Sequence, residues 1–456
     1  MRFQSFVQML TYYAQNGNGT ALIYDVNGER HTLTYSALLE RVQRCADELR
    51  ATGKTSIGIL CTADLECIVT IFAAAAAKMQ VVMLDGGLND AALTKLVQAA
   101  DVDMLLGTNP ATMAALTPYL TEGVEADAGR ILFFTSGTTS MSKAVVLTEE
   151  SLCASAYNGS AKLPLTPDDT LLCLLPLAHV FGFVCSLLWG LSCGAAVALS
   201  RGAHYMPFDL QYFDPTAVSV VPMLLGFLLK QKLLNDRLSL ILVGAGDCPQ
   251  SLLDAAAAMG KRVSFGYGLT ETSSGVAISV SGDPHAMEIC PDDTIEIAPD
   301  GEILIQAPTY IMQGYYKDQE STDAVLQDGW FHSGDLGYLD HDGRLHITGR
   351  KKEMLVLPNG TKIFLPDYEH ELAKALDNAE LAVILLKAKP VLVIQELPEK
   401  RKELMDKVAQ AMKKLPRAHQ IADVIFTDQP LPRTATGKIK RWEIQKTEEE
   451  KNGKAE

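Results

Sequence analysis

Short runs of aliphatic and β-branched residues alternate with helix-like segments through the first 275 residues of the chain. Such alternation is typical of parallel strands that are connected by helices. The clearest strand-like runs are residues 57–60, 81–84, 104–106, 218–221, 240–243 and 263–265, and the clearest helix-like segments are 91–100, 224–233 and 251–259. We therefore predict an α/β fold in which parallel or mixed sheets are flanked by helices.

After Gly275 the pattern changes to short strands separated by turns. Asp300-Gly301 and Asp342-Gly343 are hairpin-type pairs between strand-like runs, which indicates a small β-rich subdomain. We predict three parts: an N-terminal domain of residues 1–351, a small mobile α+β lid domain of residues 352–446, and a disordered charged tail of residues 447–456.

Residues 170–200 contain no Asp, Glu, Lys or Arg, and this run is longer than the ~20 residues that a membrane helix needs. Pro176 and Gly182 interrupt it, and it divides into a strand-like, a helix-like and a second strand-like part. Since strands buried on both faces read as continuous apolar runs, we favour a buried core over a membrane span.

The composition excludes some function classes. The 456 residues carry a formal net charge of −15, which argues against a nucleic-acid partner, because such proteins neutralise phosphates with Lys and Arg. The acidity is uneven, since residues 353–456 are nearly neutral. Nine cysteines without a CxxC pair favour a reducing, cytoplasmic location. We see no secretory signal at the N-terminus.

Four segments carry candidate chemistry. Residues 131–146 run from an apolar strand into a loop of Ser, Thr and Gly closed by Lys143, which supplies hydrogen-bond donors and a cation for a polyphosphate. Residues 265–272 offer an aromatic ring at Tyr267, a hydroxyl at Thr270 and a hard oxygen ligand at Glu271. Taken singly, each segment is equally well explained as an ordinary loop or as a turn with an exposed acid.

The other two segments lie further along the chain. Asp335 is a carboxylate in a Gly-bounded segment expected to form a turn, suited to a ribose diol, and it precedes Arg350. Lys438 lies on a loop stiffened by proline. In this order and spacing, the four segments resemble the adenylate-forming (ANL) superfamily of AMP-binding enzymes, and most of all its fatty-acyl-CoA ligases. The resemblance extends from Thr34-Tyr35 to Lys438.

The resemblance implies a role for each matching residue. The loop over the β- and γ-phosphates of ATP comprises Thr135, Ser136, Gly137, Thr138, Thr139 and Lys143. The remaining nucleotide-binding positions are Gly244, Ala245, Tyr267 at the adenine, Gly268, and Asp335 with Arg350 at the ribose. The catalytic positions are Thr270 at the α-phosphate, Glu271 as the Mg²⁺ ligand, Lys438 between the carboxylate and the α-phosphate, and His179 as a gate beside the acyl pocket. Lys352 takes the position of the hinge.

The chain also departs from the family pattern. Ser140, Ser142 and Ala144 stand where the phosphate loop has Gly, Pro and Gly, and a side chain restricts backbone conformations that glycine allows. For His179 taken alone, a structural histidine satisfied within the core is the favoured interpretation. Residues 177–183 contain no acid that could pair with the ammonium group of an amino acid, so we predict an apolar acid as substrate.

These expectations converge on an acid–thiol ligase that uses ATP, Mg²⁺ and CoA. It would convert a carboxylic acid, of a fatty or other apolar kind, to acyl-AMP with release of pyrophosphate, and then to a thioester of CoA. Two alternatives remain open: loading of the acyl group onto the phosphopantetheine of a carrier protein, or a degenerate member that binds nucleotide or acyl-adenylate without turnover.

Overall fold

The computed structural model of the protein describes residues 1–135, 143–246, 248–280, 283, 285–356, 362–386, 389–414, 420–433 and 439–453. The chain divides into two compact units. The first contains residues 1–135, 143–333 and 338–346, and the second contains residues 334–337 and the described residues from 347 onward.

The helices are α1 (Phe6–Gln15), α2 (Tyr35–Ala51), α3 (Leu65–Ala76), α4 (Asp90–Ala99), α5 (Pro110–Leu116), α6 (Glu149–Lys162), α7 (Val180–Phe183), α8 (Trp189–Ser192), α9 (Met206–Phe213), α10 (Pro222–Lys230), α11 (Gln250–Ala258), α12 (Gln319–Val325), α13 (Leu365–Ala375), α14 (Arg401–Lys414) and α15 (Arg441–Gly453). A π-helix spans Val184–Leu188, and 3₁₀ turns span Thr117–Tyr119, Thr270–Thr272, Lys351–Glu353 and Pro398–Lys400.

The strands are β1 (Thr20–Val26), β2 (Glu29–Thr34), β3 (Ser56–Cys61), β4 (Gln80–Asp85), β5 (Met104–Leu106), β6 (Arg130–Phe134), β7 (Ala144–Thr148), β8 (Thr170–Cys173), β9 (Ala196–Leu199), β10 (Ala217–Val220), β11 (Leu240–Val243), β12 (Arg262–Leu269), β13 (Ser274–Ile278), β14 (Glu288–Ile289), β15 (Thr294–Ile297), β16 (Glu302–Gln306), β17 (Gly314–Tyr315), β18 (Leu326–Gln327), β19 (Trp330–Leu339), β20 (Leu345–Arg350), β21 (Met354–Val356), β22 (Lys362–Phe364), β23 (Leu381–Leu386), β24 (Lys389–Gln395) and β25 (Asp423–Thr427).

Two large sheets form the centre of the first unit. One has nine strands in the order β14-β13-β12-β11-β10-β8-β9-β1-β2, and the other has six in the order β17-β7-β6-β4-β3-β5. The pairs β3–β4, β4–β6, β8–β9, β8–β10, β10–β11 and β11–β12 are parallel. Apart from β12, the residues of these strands are mostly buried on both faces, which explains the continuous apolar runs. The predicted α/β class is confirmed.

A third sheet corresponds to the predicted β-rich subdomain. Its strands follow the order β15-β16-β19-β18, and β20 pairs with β19. Asp300-Gly301 turns β15 into β16, with Gly301 at φ +93° and its N–H donating to the Ala298 carbonyl at 2.8 Å. The positive φ explains why glycine occupies this position.

The charge-free segment is buried core, as predicted. It folds as β8, α7, the π-helix, α8 and β9, and most of its side chains are buried. Its indole at Trp189 donates to the Leu163 carbonyl at 2.9 Å, which satisfies the one polar atom of that ring. Among the described residues, none of the helices has the length and apolarity required to cross a bilayer.

The second unit is built on the sheet β23-β24-β25. Alternate residues of β23 face opposite sides, so that Val383 packs with residues of α13 and α14, whereas Ile384 packs with Ile444 of α15. The tail was expected to be disordered from residue 447, but it is helical as far as Gly453, as part of α15. Burial of Ile444 anchors it, and the Thr447 hydroxyl donates to the Glu443 carbonyl at 2.8 Å.

Candidate active site

Several predicted site residues follow the carboxyl ends of parallel strands, where open α/β sheets bind ligands. His179 is the N-cap of α7, after β8, and its side chain is 36% exposed, so it is not a fully buried core histidine. Its Nε2 atom lies 3.5 Å from Oδ2 of Asp85, the last residue of β4. An acidic side chain therefore does lie beside His179. Residues 177–183 lack one, but β4 supplies it from a distant part of the sequence.

Gly244 and Ala245 follow β11 and lie next to α7. A Cβ at Gly244 would be 2.8 Å from the Phe181 ring, so only glycine lets this ring approach the strand end. Ala245 has φ +61°, a left-handed conformation that is uncommon for a residue with a side chain. Such strain is typical of functional sites, and it fixes the course of the chain beyond β11.

Residues 265–272 do not form a simple turn. Tyr267 and Gly268 belong to β12, which pairs antiparallel with β13 after the 3₁₀ turn Thr270–Thr272. A Cβ at Gly268 would lie 1.5 Å from the Ser274 carbonyl oxygen, so this crossing requires glycine. The hairpin presents Thr270 and Glu271 at its tip, both partly exposed.

Glu271 lies in a small polar cluster with two other side chains. The Tyr315 hydroxyl donates to Glu271 Oε1 at 2.7 Å, and the Lys143 Nζ atom lies 4.5 Å from the centre of the Tyr315 ring. Burial and the neighbouring Glu271 carboxylate raise the pKa of the Tyr315 hydroxyl, so this group stays protonated and donates. The Met312 N–H also donates to the Glu271 carbonyl at 2.8 Å, which fixes the backbone of the turn.

The donor set at Glu271 fits a magnesium ion. A carboxylate has about four lone-pair positions, and Tyr315 occupies one on Oε1. Mg²⁺ is commonly held by one or two carboxylates together with the phosphates of its substrate rather than by a full protein cage. In the described part of the chain, a group of three metal-ligating side chains occurs at the partly buried Asp340 and the exposed His341 and Asp342, and it does not include Glu271.

The predicted phosphate loop is partly described. The Thr135 N–H donates to the Lys143 carbonyl at 3.0 Å, and the Lys143 N–H donates to the Thr135 hydroxyl at 3.2 Å, which closes the β6–β7 hairpin. Ala144 opens β7 opposite Phe134, in extended backbone that alanine readily adopts. The loop residues Ser136, Gly137, Thr138 and Thr139, and the substituted Ser140 and Ser142, lie outside the described residues.

The second unit brings two predicted residues together. Asp335 lies within strand β19 and not on the expected turn. Gly334, the residue before it, has φ +70° and still belongs to the strand. The buried Asp335 carboxylate accepts from the Arg350 Nε atom at 2.8 Å. Gly349 has φ +151°, and a Cβ there would lie 2.3 Å from the Phe364 ring. Glycine before Arg350 is thus required by packing.

Two predicted positions remain, Lys352 and Lys438. Lys352 belongs to the 3₁₀ turn Lys351–Glu353 that follows β20. Lys438 lies outside the described residues. Their roles as hinge and catalytic lysine remain predictions.

Sequence reasoning did not identify Tyr315 or Asp85. Tyr315 lies on the two-residue strand β17, which pairs with β7, and its Gly-Tyr-Tyr sequence gives no sign of the contact with Glu271. Asp85 carries the only available signal, an acid at the carboxyl end of an otherwise apolar predicted strand.

Comparison with known proteins agrees with this organisation. The model of the AMP-binding enzyme family matches residues 11–126 and 114–316. The indoleacetate–CoA ligase of Aromatoleum aromaticum is 31% identical over 345 residues, which is 69% of this chain and 66% of that protein. A 2-succinylbenzoate–CoA ligase of Bacillus cereus is 31% identical over 272 residues, 56% of each chain. The chain thus spans slightly more than half to about two thirds of the length of these relatives.

The fold also has a solved counterpart. The O-succinylbenzoate coenzyme A synthetase of Bacillus subtilis, in complex with ATP and magnesium ion, matches with a TM-score of 0.79 at 24% identity, covering 95% of this chain and 98% of that one. At this identity the likeness concerns the fold. The names of these relatives specify aromatic acids, so the expected link to fatty-acid metabolism finds no support in them. The family match covers well over half of the sequence, and the chain belongs to the AMP-binding enzyme family.

Proposed function

We propose that the protein is an ATP-dependent acid–thiol ligase that forms an acyl-adenylate and transfers the acyl group to CoA. The observation that carries this proposal is the cluster of Glu271, Tyr315 and Lys143, a metal-competent carboxylate beside a cation in a member of this family. A carboxylate is a poor acyl donor because its leaving group would be oxide. Attack on the α-phosphorus of ATP releases pyrophosphate and gives AMP as a good leaving group.

The residues of the chain act mainly by positioning and by neutralising charge. We assign Lys143 and Thr135 to the β- and γ-phosphates, Thr270 to the α-phosphate and Tyr267 to the adenine. Glu271 would hold the Mg²⁺ that neutralises phosphate charge, and Tyr315 orients this carboxylate. We assign Asp335 and Arg350 to the ribose hydroxyls. By resemblance alone, Lys438 serves the adenylation step and Lys352 the hinge.

For the acid we propose an aromatic or other short apolar substrate rather than a long fatty chain. The named relatives act on indoleacetate and 2-succinylbenzoate. Behind the π-helix the first unit has a cavity of about 30 Å³ lined by side chains that include Val184, Trp189 and Leu242. That volume has room for about one water molecule.

The decisive experiment is ATP–pyrophosphate exchange with a panel of acids: indole-3-acetate, 2-succinylbenzoate, benzoate, octanoate, palmitate and phenylalanine. We expect exchange with at least one aromatic acid and much less with palmitate. Exchange with palmitate alone would contradict the aromatic assignment, and exchange with phenylalanine alone would show that an ammonium group is accommodated. A complete lack of exchange, with ATP still bound, would favour the non-catalytic binder.

The acceptor is tested with the same acid. Mass spectrometry should detect free acyl-CoA when the enzyme, ATP and Mg²⁺ are supplied with CoA. An acyl group that appears only on a phosphopantetheinylated carrier protein, with no acyl-CoA, would support the alternative acceptor.

A further inference from the structure

Both carboxylate oxygens of Asp85 have a polar neighbour. Its Oδ1 atom accepts the Gly87 N–H at 2.9 Å, and its Oδ2 atom lies 3.5 Å from Nε2 of His179. The Asp85 side chain is 25% exposed, so it lines an accessible edge of the sheet without being freely solvated. The hydrogen bond from Gly87 orients this carboxylate, and in that orientation its other oxygen faces His179.

The charge of Asp85 determines which ring nitrogen of His179 carries the hydrogen. Hydrogen bonding from His179 lowers the pKa of the Asp85 carboxyl, so this group is ionised at neutral pH. An ionised carboxylate only accepts hydrogen bonds, so the Nε2 atom of His179 must carry the hydrogen that faces it. The Nδ1 atom then remains on the opposite edge of the ring, available to a ligand.

The backbone of His179 is fixed independently of Asp85. The His179 N–H donates to the Pro176 carbonyl at 3.2 Å, and the His179 carbonyl accepts the Phe183 N–H at 2.9 Å. A Cβ at Gly182 would lie 2.2 Å from the Pro176 oxygen, which shows how tightly this turn is closed. The freedom that remains to His179 is the rotation of its side chain, and Asp85 is placed to limit that rotation.

We infer that Asp85 is a positioning residue, which holds the His179 imidazole with Nε2 toward β4 and Nδ1 toward the bound carboxylic acid. The inference rests on the proposed function, because His179 acts beside the acid in that function. Asp85 itself does not touch the reacting atoms. Cys61 is the residue opposite Asp85 on the neighbouring strand β3, and its thiol offers no charge that could replace the carboxylate.

The first test separates positioning from structural support by steady-state kinetics. Asp85→Asn keeps the shape but can present either an oxygen or an NH₂ group to His179, so the tautomer is no longer fixed. We expect the KM for the acid to rise roughly 10-fold, with the KM for ATP changed less than about 2-fold, since small misplacements of a catalytic group are costly. In the His179→Ala background the same change at Asp85 should have no further effect.

Asp103→Asn is the matched control. Asp103 accepts the N–H groups of Thr55 and Ser56, at 3.2 and 3.1 Å, at the opposite end of β3. This variant should lower the melting temperature without changing the KM for the acid. Additive effects of Asp85→Asn and His179→Ala, or an equal rise in the KM for ATP, would overturn the positioning role.

The second test needs no substrate. In protein labelled with ¹⁵N-histidine, the His179 ring signals are assigned by their loss in His179→Gln. We expect the Nε2–H tautomer, and a change of these signals in Asp85→Asn. Unchanged signals would overturn the pairing. Absence of pyrophosphate exchange with every acid in the wild-type protein would instead overturn the proposed function, so the two failures are distinguishable.

Discussion

Glu271 in the first unit and Asp335 in the second unit are both carboxylates that the sequence marks for nucleotide chemistry, yet their electrostatic settings are opposite. Glu271 is partly exposed and accepts from the neutral hydroxyl of Tyr315. Asp335 is only 2% exposed and forms an ion pair with Arg350. The first carboxylate accepts from a neutral group, whereas the second forms a direct ion pair with the protein.

The difference explains why one group suits a metal and the other suits hydroxyl groups. A magnesium ligand must retain negative charge and free lone pairs, which a neutral donor such as Tyr315 leaves in place. A buried carboxylate stays ionised at tolerable cost only when it is paired, and the pair can still accept hydrogen bonds from a ribose. Substitutions of the two carboxylates, and of the groups that donate to them, should therefore differ in their effects on activity and on stability.

The largest effect is expected for Glu271→Gln, which keeps the shape and removes the charge. Loss of one preorganised electrostatic contact costs about 10²–10³ in rate, so pyrophosphate exchange should fall by that factor. The melting temperature should change by less than about 2 °C, because the side chain is partly exposed. Near-normal exchange at saturating Mg²⁺ would place the metal ligand elsewhere.

Asp335→Asn should have a smaller effect on activity and a larger one on stability. A hydrogen bond to a charged group contributes about 1.5–3 kcal/mol, so ATP affinity measured by calorimetry should fall about 10-fold to 100-fold. Arg350 loses its partner, which should lower the melting temperature. The Mg²⁺ concentration for half-maximal exchange should stay unchanged, and a marked shift in it would erase the distinction between the two carboxylates.

Tyr315→Phe tests the neutral donor at Glu271. The ring beneath Lys143 is retained and the hydrogen bond is lost, at a cost of about 1–1.5 kcal/mol, or roughly 5-fold to 10-fold in exchange rate. Tyr316→Phe is the matched control, because that hydroxyl donates to Asp101 at 2.8 Å instead of Glu271. Equal losses in the two variants would show that the effect arises from general destabilisation.

Asp293 provides a third carboxyl group, for which burial dominates and raises the pKa to about 8. Between pH ~4 and ~8 the folded protein keeps a proton that the unfolded chain releases, so the free energy of unfolding falls as the pH rises. Asp293→Asn removes this dependence. Compared with the wild type, the variant should gain on the order of 1 kcal/mol or more in urea unfolding between pH 5 and pH 8, since each unit of pKa difference corresponds to about 1.4 kcal/mol. A constant difference across this range would contradict the assignment.

Local patterns predicted the strands well where burial alone decides the structure. Residues 104–106 and 240–243 form β5 and β11 as predicted. The sequence did not reveal β17, because its two residues become a strand only through pairing with β7. The predictions concerning Ser140, Ser142 and Lys438 remain untested, since these residues lie outside the described part of the chain.

The candidate site was predictable where one segment carries the chemistry and was missed where two distant segments combine. Thr270 and Glu271 could be singled out from residues 265–272 alone, although the hairpin of β12 and β13 that presents them was not predicted. The Asp85–His179 contact joins two segments far apart in sequence, and nothing local to either one indicates the other. For the same reason, the absence of an acid in residues 177–183 was an incomplete argument about the charge near His179.

The Asp85–His179 contact also has a consequence for the folding of the chain during synthesis. Asp85 belongs to the six-stranded sheet and His179 follows a strand of the nine-stranded sheet, so the pair can form only after both sheets exist and have docked. Tyr315 adds a later requirement, since the donor to Glu271 is translated after almost all of both sheets. A nascent chain that stops before residue 315 would therefore lack the Tyr315–Glu271 contact, and it would not yet gain the stability that a ligand gives by binding to the completed site.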